Sequence, residues 1–475
     1  MLNKQGKIIG LAVLAVVILG IGWFLFLKPK EEFKLVPRQR QQEETQAKVL
    51  NTEVGTGWSV NSDAEKAVEE AVNMALKGKE NKKPDFAVIF ATSTSDMPKI
   101  FSKARQMLGE QAKIYGGTSS QRALMTNKGM MNTGDKQYRP EMMEGKTGLA
   151  IMTISSRDIV FGVGAANLKN YSSPREAAKE AVLAAIASAG QSPSELPKLV
   201  LITPTRLFEE EMLEGIEDVV GKKTMILGGT AGGPQRGVIG RDGVYEEGIS
   251  LAVIYTNLPV GVVFKGGFDI TDPHSGIITK ANAQDIIEID NRPALDVYNE
   301  WLGGEIGKLF AQYKNDRVVR DLLTLHPIYR KYRSKEGYVY FLFSHPWPKD
   351  KELKDKVVMT STKIKVNERI YLSRGNWETL MNRIVNLPTV AKTNGDFGVD
   401  PKLMFGISYI CNGVIGTIPE SEWAKLPMLI NTETKNIPFI ACFTSGEQGY
   451  FPGIGNKHGN LLTSFILIGT KGNNQ

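Results

Sequence analysis

Three glycine-rich turns hold most of the side chains that could do chemistry in this chain. Two of them read Gly-Gly-Thr: Gly116-Gly117-Thr118, followed by Ser119 and Ser120, and Gly228-Gly229-Thr230, followed by Gly232 and Gly233. An apolar run leads into each, so backbone N–H groups and hydroxyls stand at a strand end, where they suit a carboxylate or another small polar ligand. Glycine also permits a tight turn with no ligand at all, and that reading stays open beside the first. The third turn comes near the carboxyl terminus: Ser445, Gly446, Glu447 and Gly449, then His458 and Asn460. Glu447 and His458 flank a glycine-rich loop and could meet over a pocket, to hold an amino group or to act as acid and base. The alternative is a Glu–His contact that only closes the loop.

Cys411 ends an apolar run beside a further glycine. With His458 it would make a nucleophile and its base; in a strand it is more simply a packing residue. Cys411 and Cys442 are the two cysteines, and both are expected as buried free thiols. His274, His326 and His345 stand alone in turn-like contexts and are expected in loops or at the surface. No Cys/His spacing forms a metal ligand set, so no metal and no cofactor is expected. A Gly-x-x-x-x-Gly-Lys-Ser/Thr loop is missing, which disfavours nucleoside triphosphates, and Gly453-x-Gly455 precedes a strand rather than a helix. Ligand binding without turnover is the favoured reading; a hydrolase or transferase using Cys411, Glu447 and His458 is the alternative.

The elements that must position these residues repeat along the chain. Residues 63–164 and 174–270 follow one script. An Ala/Glu-rich helix comes first, with Ala67, Val68, Ala71 and Val72 on one stripe, matched by Ala177, Ala178, Ala181 and Val182. An apolar strand then follows Pro84 or Pro197, and a second helix lies around 98–108 or 208–220. The glycine turn comes next, and two apolar strands close each copy. Strands alternating with helices give an α/β fold, and the strand pair after each turn calls for a mixed sheet rather than an open parallel one.

This order of motifs resembles the amino-terminal region of the FIST family, in which a strand runs into a Gly-x-Ser/Thr-x-x-Gly turn. The run from Asp285 to Gly303, with its short strand, Arg-Pro-Ala and amphipathic helix, is similar to the opening of the carboxyl-terminal FIST region. Met404–Gly416 and Ile437–Gly469 resemble later family strands, so the likeness extends over about residues 60–469. It implies a duplicated amino-terminal module over 61–275 and a carboxyl-terminal module over 280–470. It also implies a sensor that recognises a small molecule, an amino acid or related metabolite, and signals through a separate partner protein. One departure is chemical. After Cys411 the chain reads Asn412-Gly413-Val414 where the family pattern has arginine, which removes a bidentate donor for an anion.

Composition sets the remaining bounds. The 475 residues are 42% hydrophobic and 23% charged, which fits globular units and excludes both a disordered chain and a polytopic membrane protein. The net charge of +7 is scattered, with no basic cluster interleaved with aromatics, so no nucleic-acid partner is expected. Ile8 to Leu27 is an uncharged run of twenty residues. As a helix it spans ~30 Å, the thickness of a bilayer core, and is read as a single retained anchor. Residues 28–60 are polar and read as a tether. Export of the large folded part is the expectation, although the Lys and Arg count beyond the anchor leaves the cytoplasmic side open. A further alternative is an envelope protein-interaction factor.

Overall fold

The computed structural model describes residues 52–78, 83–93, 95–120, 123–132, 148–233, 235–312, 316–350 and 352–472. The chain enters through β1 (Thr52–Ser59), then α1 (Ala64–Ala75), β2 (Phe86–Thr92), α2 (Met97–Leu108) and β3 (Lys113–Ser119). A hairpin of β4 (Ala123–Thr126) and β5 (Gly129–Asn132) follows, and then β6 (Leu149–Ser156). Strand β6 lies between β1 and β2, antiparallel to both, and β3 adds parallel to β2.

The same connectivity recurs in β7 (Ile159–Asn167), α3 (Pro174–Ser188), β8 (Leu199–Pro204), α4 (Glu209–Val220) and β9 (Met225–Gly229). The hairpin β10 (Val238–Ile239) and β11 (Val244–Tyr245) and the closing β12 (Gly248–Thr256) complete it. Here β12 lies antiparallel between β7 and β8, with β9 parallel to β8.

A third instance opens with β13 (Val260–Lys265). It is then interrupted by β14 (Ser275–Asn282), β15 (Asp285–Ile289), β16 (Arg292–Pro293), α5 (Ala294–Trp301), α6 (Glu305–Gln312) and α7 (Asp316–Leu325). β17 (Ile328–Arg333), β18 (Val339–Ser344), β19 (Trp347–Pro348), β20 (Val358–Met359) and β21 (Arg369–Leu372) finish this separate antiparallel sheet. The two ends of the insertion are pinned together, because Asp269 and Arg374 exchange backbone hydrogen bonds of 2.7 and 3.0 Å. The third instance resumes with α8 (Trp377–Asn394), β22 (Leu403–Cys411), α9 (Asn412–Thr417), α10 (Glu420–Trp423), α11 (Lys425–Thr434) and β23 (Phe439–Thr444). The hairpin β24 (Glu447–Phe451) and β25 (Gly455–Gly459) then leads to β26 (Thr463–Gly469), which pairs antiparallel with both β13 and β22.

Each hairpin leaves its own sheet. β10 extends β3 of the first sheet, β24 extends β9 of the second, and β4 extends β23 of the third. The three sheets are thereby knitted in a ring.

Small residues make the layers close. In the first helix the Asp63 side chain accepts from the backbone N–H groups of Glu65 and Lys66, capping a buried stripe of Ala67, Val68, Ala71, Val72 and Ala75. A Cβ on Gly57 would lie 1.9 Å from the Ala71 carbonyl oxygen. The corresponding contacts are 2.0 Å for Gly164 on Ala181 and 2.0 Å for Gly261 on Ala391. Each helix therefore rests on its first strand at a distance only glycine allows. The inner faces of the three sheets share one core that includes Phe86, Phe90, Leu199, Leu227, Phe405 and Tyr409. At its centre the Tyr115 hydroxyl reaches Thr203 Oγ1 and the Tyr409 hydroxyl, each at 2.7 Å, so one polar knot joins all three sheets.

Several expectations change. The fold is α/β with mixed sheets, but the expected copies 63–164 and 174–270 cut across them. β6 and β7 are neighbours in sequence and lie in different sheets, as do β12 and β13. The tether ends earlier than residue 60, since Thr52–Ser59 pairs along its length with β6. Pairing also crosses the expected boundary near 275–280, through β13 with β26. Among the described residues no helix is long and apolar enough to cross a membrane. The expected anchor, Ile8 to Leu27, lies outside the described residues.

Candidate functional site

The three glycine turns converge. β3, β9 and β23 all end toward the meeting point of their sheets, and their turns bond to one another. Gly232 N–H donates to the Thr118 carbonyl at 3.1 Å, and Thr118 Oγ1 donates to the Gly232 carbonyl at 3.1 Å. Thr230 N–H donates to the Gly446 carbonyl at 2.8 Å, and Ser445 N–H returns to the Thr230 carbonyl at 3.1 Å. Ser119 Oγ donates to the Ala123 carbonyl at 2.9 Å and accepts from Phe443 N–H at 2.8 Å. The hydroxyls of Thr118 and Ser119 are thus engaged in holding the turns together, Thr230 joins them through its backbone, and all three residues are buried.

The glycines serve approach rather than a ligand cradle. A Cβ on Gly232 would sit 1.6 Å from Ser120 Oγ, and one on Gly233 1.9 Å from Ser93 Oγ. Ser120 Oγ and Ser445 Oγ lie 3.1 Å apart, and Asn412 Nδ2 donates to Ser445 Oγ at 3.3 Å. Asn412 carries this chain of polar groups outward to open space.

That space is a cleft of about 360 Å³ between the ends of β8 and β22 and the inserted sheet. Arg206, Arg320, Asp321, His345, Trp347 and Asn412 are on its walls. Arg206 sits in the turn after β8, where Leu207 adopts φ +98° and its N–H donates to Glu209 Oε2 at 2.9 Å. Arg320 and Asp321 come from α7, with Nε 3.8 Å from Asp321 Oδ1. His345 lies in the loop between β18 and β19, as expected, and is half-buried on the cleft wall. Its ring reaches Thr324 Oγ1 at 3.3 Å, and burial, reinforced by the Arg320 charge, lowers its pKa to about 4. Two arginines from distant segments, Arg206 and Arg320, line the cleft together with Asn412 and Gly413. No local pattern announces them.

The carboxyl-terminal residues separate. In the β24–β25 hairpin Glu447 faces Gly459, whereas Gln448 faces His458. Adjacent strand residues point to opposite faces, so Glu447 and His458 do not meet over a pocket. Glu447 turns inward, where its Oε1 accepts from Thr444 Oγ1 at 2.8 Å and its Oε2 from Leu462 N–H at 3.2 Å. Burial there raises its pKa to about 8. The Cys411 thiol is its neighbour, and burial, with the Glu447 carboxylate close by, pushes that thiol well above its usual range. This environment favours the protonated thiol at Cys411, and the ring nitrogens of His458 face Gln448 and the Ser361 carbonyl. Cys442 is likewise buried and free. His458 Nδ1 lies 3.0 Å from Gln448 Nε2, and Nε2 lies 3.2 Å from the Ser361 carbonyl. Asn460 is buried close by, and its Nδ2 and His458 Cε1 both lie near the side of Gly446 where a Cβ would stand. Glu209, Glu210 and Gln448 join this neighbourhood without any signal in the sequence, since the segments that carry them are far apart along the chain.

No curated protein matches the chain. Among solved structures, a cyanuric acid hydrolase from A. caulinodans aligns over 88% of this chain and 99% of its own, at 7% identity and a TM-score of 0.34. A second cyanuric acid hydrolase structure gives 7% identity and a TM-score of 0.30 over the same shares, 88% and 99%. T. maritima PurL complexed with ATP gives 9% identity and a TM-score of 0.21 over 88% of this chain and 72% of its own. Scores this low bring no activity to this chain. The family comparison is of another kind: residues 85–292, from the edge of β2 through the second sheet into the insertion, match the FIST N domain family.

Proposed function

We propose that this protein is a FIST-type sensory protein that binds a small zwitterion, an α-amino acid or a close relative, in the cleft between β8, β22 and the inserted sheet. The observation that carries the reading is the charge arrangement on the cleft walls. Arg206 and Arg320 offer guanidinium donors for a carboxylate, Asp321 offers an acceptor for an ammonium group, and Asn412 offers an amide. A volume of about 360 Å³ suits a ligand of that size. Binding takes place without turnover, because Cys411, Glu447 and His458 do not form one constellation. The protein is held to a membrane through Ile8 to Leu27, with the folded part on the extracytoplasmic side, and it signals through a separate partner protein.

A thermal-shift screen of amino acids and small carboxylates tests the ligand. A ligand at a hundred times its dissociation constant stabilises the native state by roughly 2.7 kcal/mol. The expected hit raises the melting temperature and is recovered chemically intact. Arg206→Ala removes that shift while leaving the unliganded melting temperature unchanged, since Arg206 is exposed. Consumption of the hit would return the hydrolase or transferase reading. A silent screen would move attention to a protein partner. A reporter-enzyme fusion after residue 475 reads the membrane side.

A further inference from the structure

Beside the cleft, three potential metal ligands come together from two distant segments. Glu209 and Glu210 open α4, and His458 lies in β25; a carboxylate oxygen from each glutamate and a ring nitrogen of His458 lie within 4.8 Å of one another. Glu209 and His458 are almost wholly buried. The hairpin exchange creates this meeting, because β24 pairs with β9 and carries β25 over the start of α4.

The surrounding hydrogen bonds leave a one-sided deficit. Glu209 Oε1 accepts from Thr230 Oγ1 at 3.1 Å and its Oε2 from Leu207 N–H at 2.9 Å. Glu210 Oε1 accepts from Lys363 N–H at 2.8 Å. Gln448 is fully buried, and its Nε2 donates to Thr230 Oγ1 at 3.0 Å while lying 3.0 Å from His458 Nδ1. Three buried oxygens beside these groups have no hydrogen-bond partner: Glu210 Oε2, Gln448 Oε1 and Asn460 Oδ1. All three are acceptors. A buried polar group without a partner is costly, and a cluster of orphaned acceptors calls for a cation. The Lys363 head group does not supply it, since its Nζ is directed to Glu211 at 3.2 Å.

We infer that Glu209, Glu210 and His458 form a divalent metal site, with Gln448 and Asn460 offering amide oxygens. One imidazole with two carboxylates and amide oxygens suits Mn²⁺ or Zn²⁺ rather than a soft thiolate-bound metal. His458 then binds through Nδ1, the Gln448 amide turning its oxygen to the ion, while Nε2–H keeps the Ser361 carbonyl. Ser361 also lines the cleft. A bound metal thus holds one cleft wall to the core.

The test is titration of the full-length, chelator-treated protein with MnCl₂ and with ZnCl₂, by calorimetry, with electron paramagnetic resonance for manganese. The expected result is one ion per chain and a metal-dependent rise in melting temperature. Glu210→Gln is the informative variant, because Glu210 is only partly buried and its loss leaves the core intact. It should weaken binding at least ~tenfold and lose the metal-dependent rise, with its chelator-treated melting temperature unchanged. His458→Asn should do the same and serves as a second reading if it folds. Absence of binding by both metals overturns the assignment. Equal binding by wild type and E210Q overturns it too, since the ion would then sit elsewhere.

Discussion

Replacing Glu447 with glutamine isolates the effect of one buried carboxyl on stability. In the folded protein its pKa lies at about 8 against an ordinary 4.5, and burial is the main cause. Its hydrogen-bond partners include the Thr444 hydroxyl, the Leu462 N–H and the Cys411 thiol, and none of these is charged. The folded state therefore keeps a proton that the unfolded state gives up. A raised folded pKa means that the associated stability is fully present below pH 4.5 and is lost as pH rises through about 8. Roughly three and a half units at about 1.4 kcal/mol each give a ceiling of about 5 kcal/mol, reached once both states are ionised. Glu447→Gln cannot ionise. Its amide oxygen can take the Leu462 N–H, and its NH₂ can face Thr444, whose hydroxyl turns to the Ile410 carbonyl at 3.3 Å. Urea unfolding at pH 5, 7 and 9 should show wild type losing several kcal/mol more than E447Q across that range. Parallel stability curves for the two proteins would refute a buried neutral acid at this position.

The close helix–strand contact predicts a second result. Gly164→Ala places a methyl 2.0 Å from the Ala181 carbonyl oxygen and should cost about 3 kcal/mol by urea unfolding. The control Gly307→Ala, in α6, meets nothing nearer than 3.9 Å and should be neutral or stabilising by up to about 1 kcal/mol. Cys411 and Cys442, both buried with their thiols pushed up, should resist iodoacetamide at neutral pH until the protein is unfolded. Fast native alkylation of Cys411, followed by mass spectrometry, would revive it as a nucleophile.

Local signals were legible in the sequence. The alanine stripes at 67–72 and 177–182 are buried helix faces. The Gly-Gly-Thr runs stand at strand ends, because strand-to-turn chemistry is short-range. What escaped is non-local. Adjacent strands of strong β-propensity, such as β6 and β7, look like a hairpin, yet propensity says nothing about which sheet each joins. The third instance of the connectivity is hidden by the insertion between β13 and α8. A clue existed in the first strands, where Gly55 and Gly57 match Gly162 and Gly164, and Gly261 lies in β13. Such spacing marks a helix lying on a strand. The partition of Glu447 from His458 depends on hairpin register, where one residue decides the face. The site around Gln448 and Thr230 joins residues 218 positions apart, a distance no local pattern reports.

The ring of exchanged hairpins sets an order on birth at the ribosome. The first hairpin, β4–β5, has its acceptor edge in β23, and Ser119 awaits Phe443, 324 positions later. At about 5–20 residues per second that wait lasts tens of seconds. During it the apolar strand Ala123–Thr126 has no edge to join, and the first two sheets each lack a closing partner or a finished core. A nascent chain of this kind is a natural client for chaperones. A stop codon anywhere before β23 leaves the ring open, so truncated products should aggregate rather than persist as smaller folded proteins.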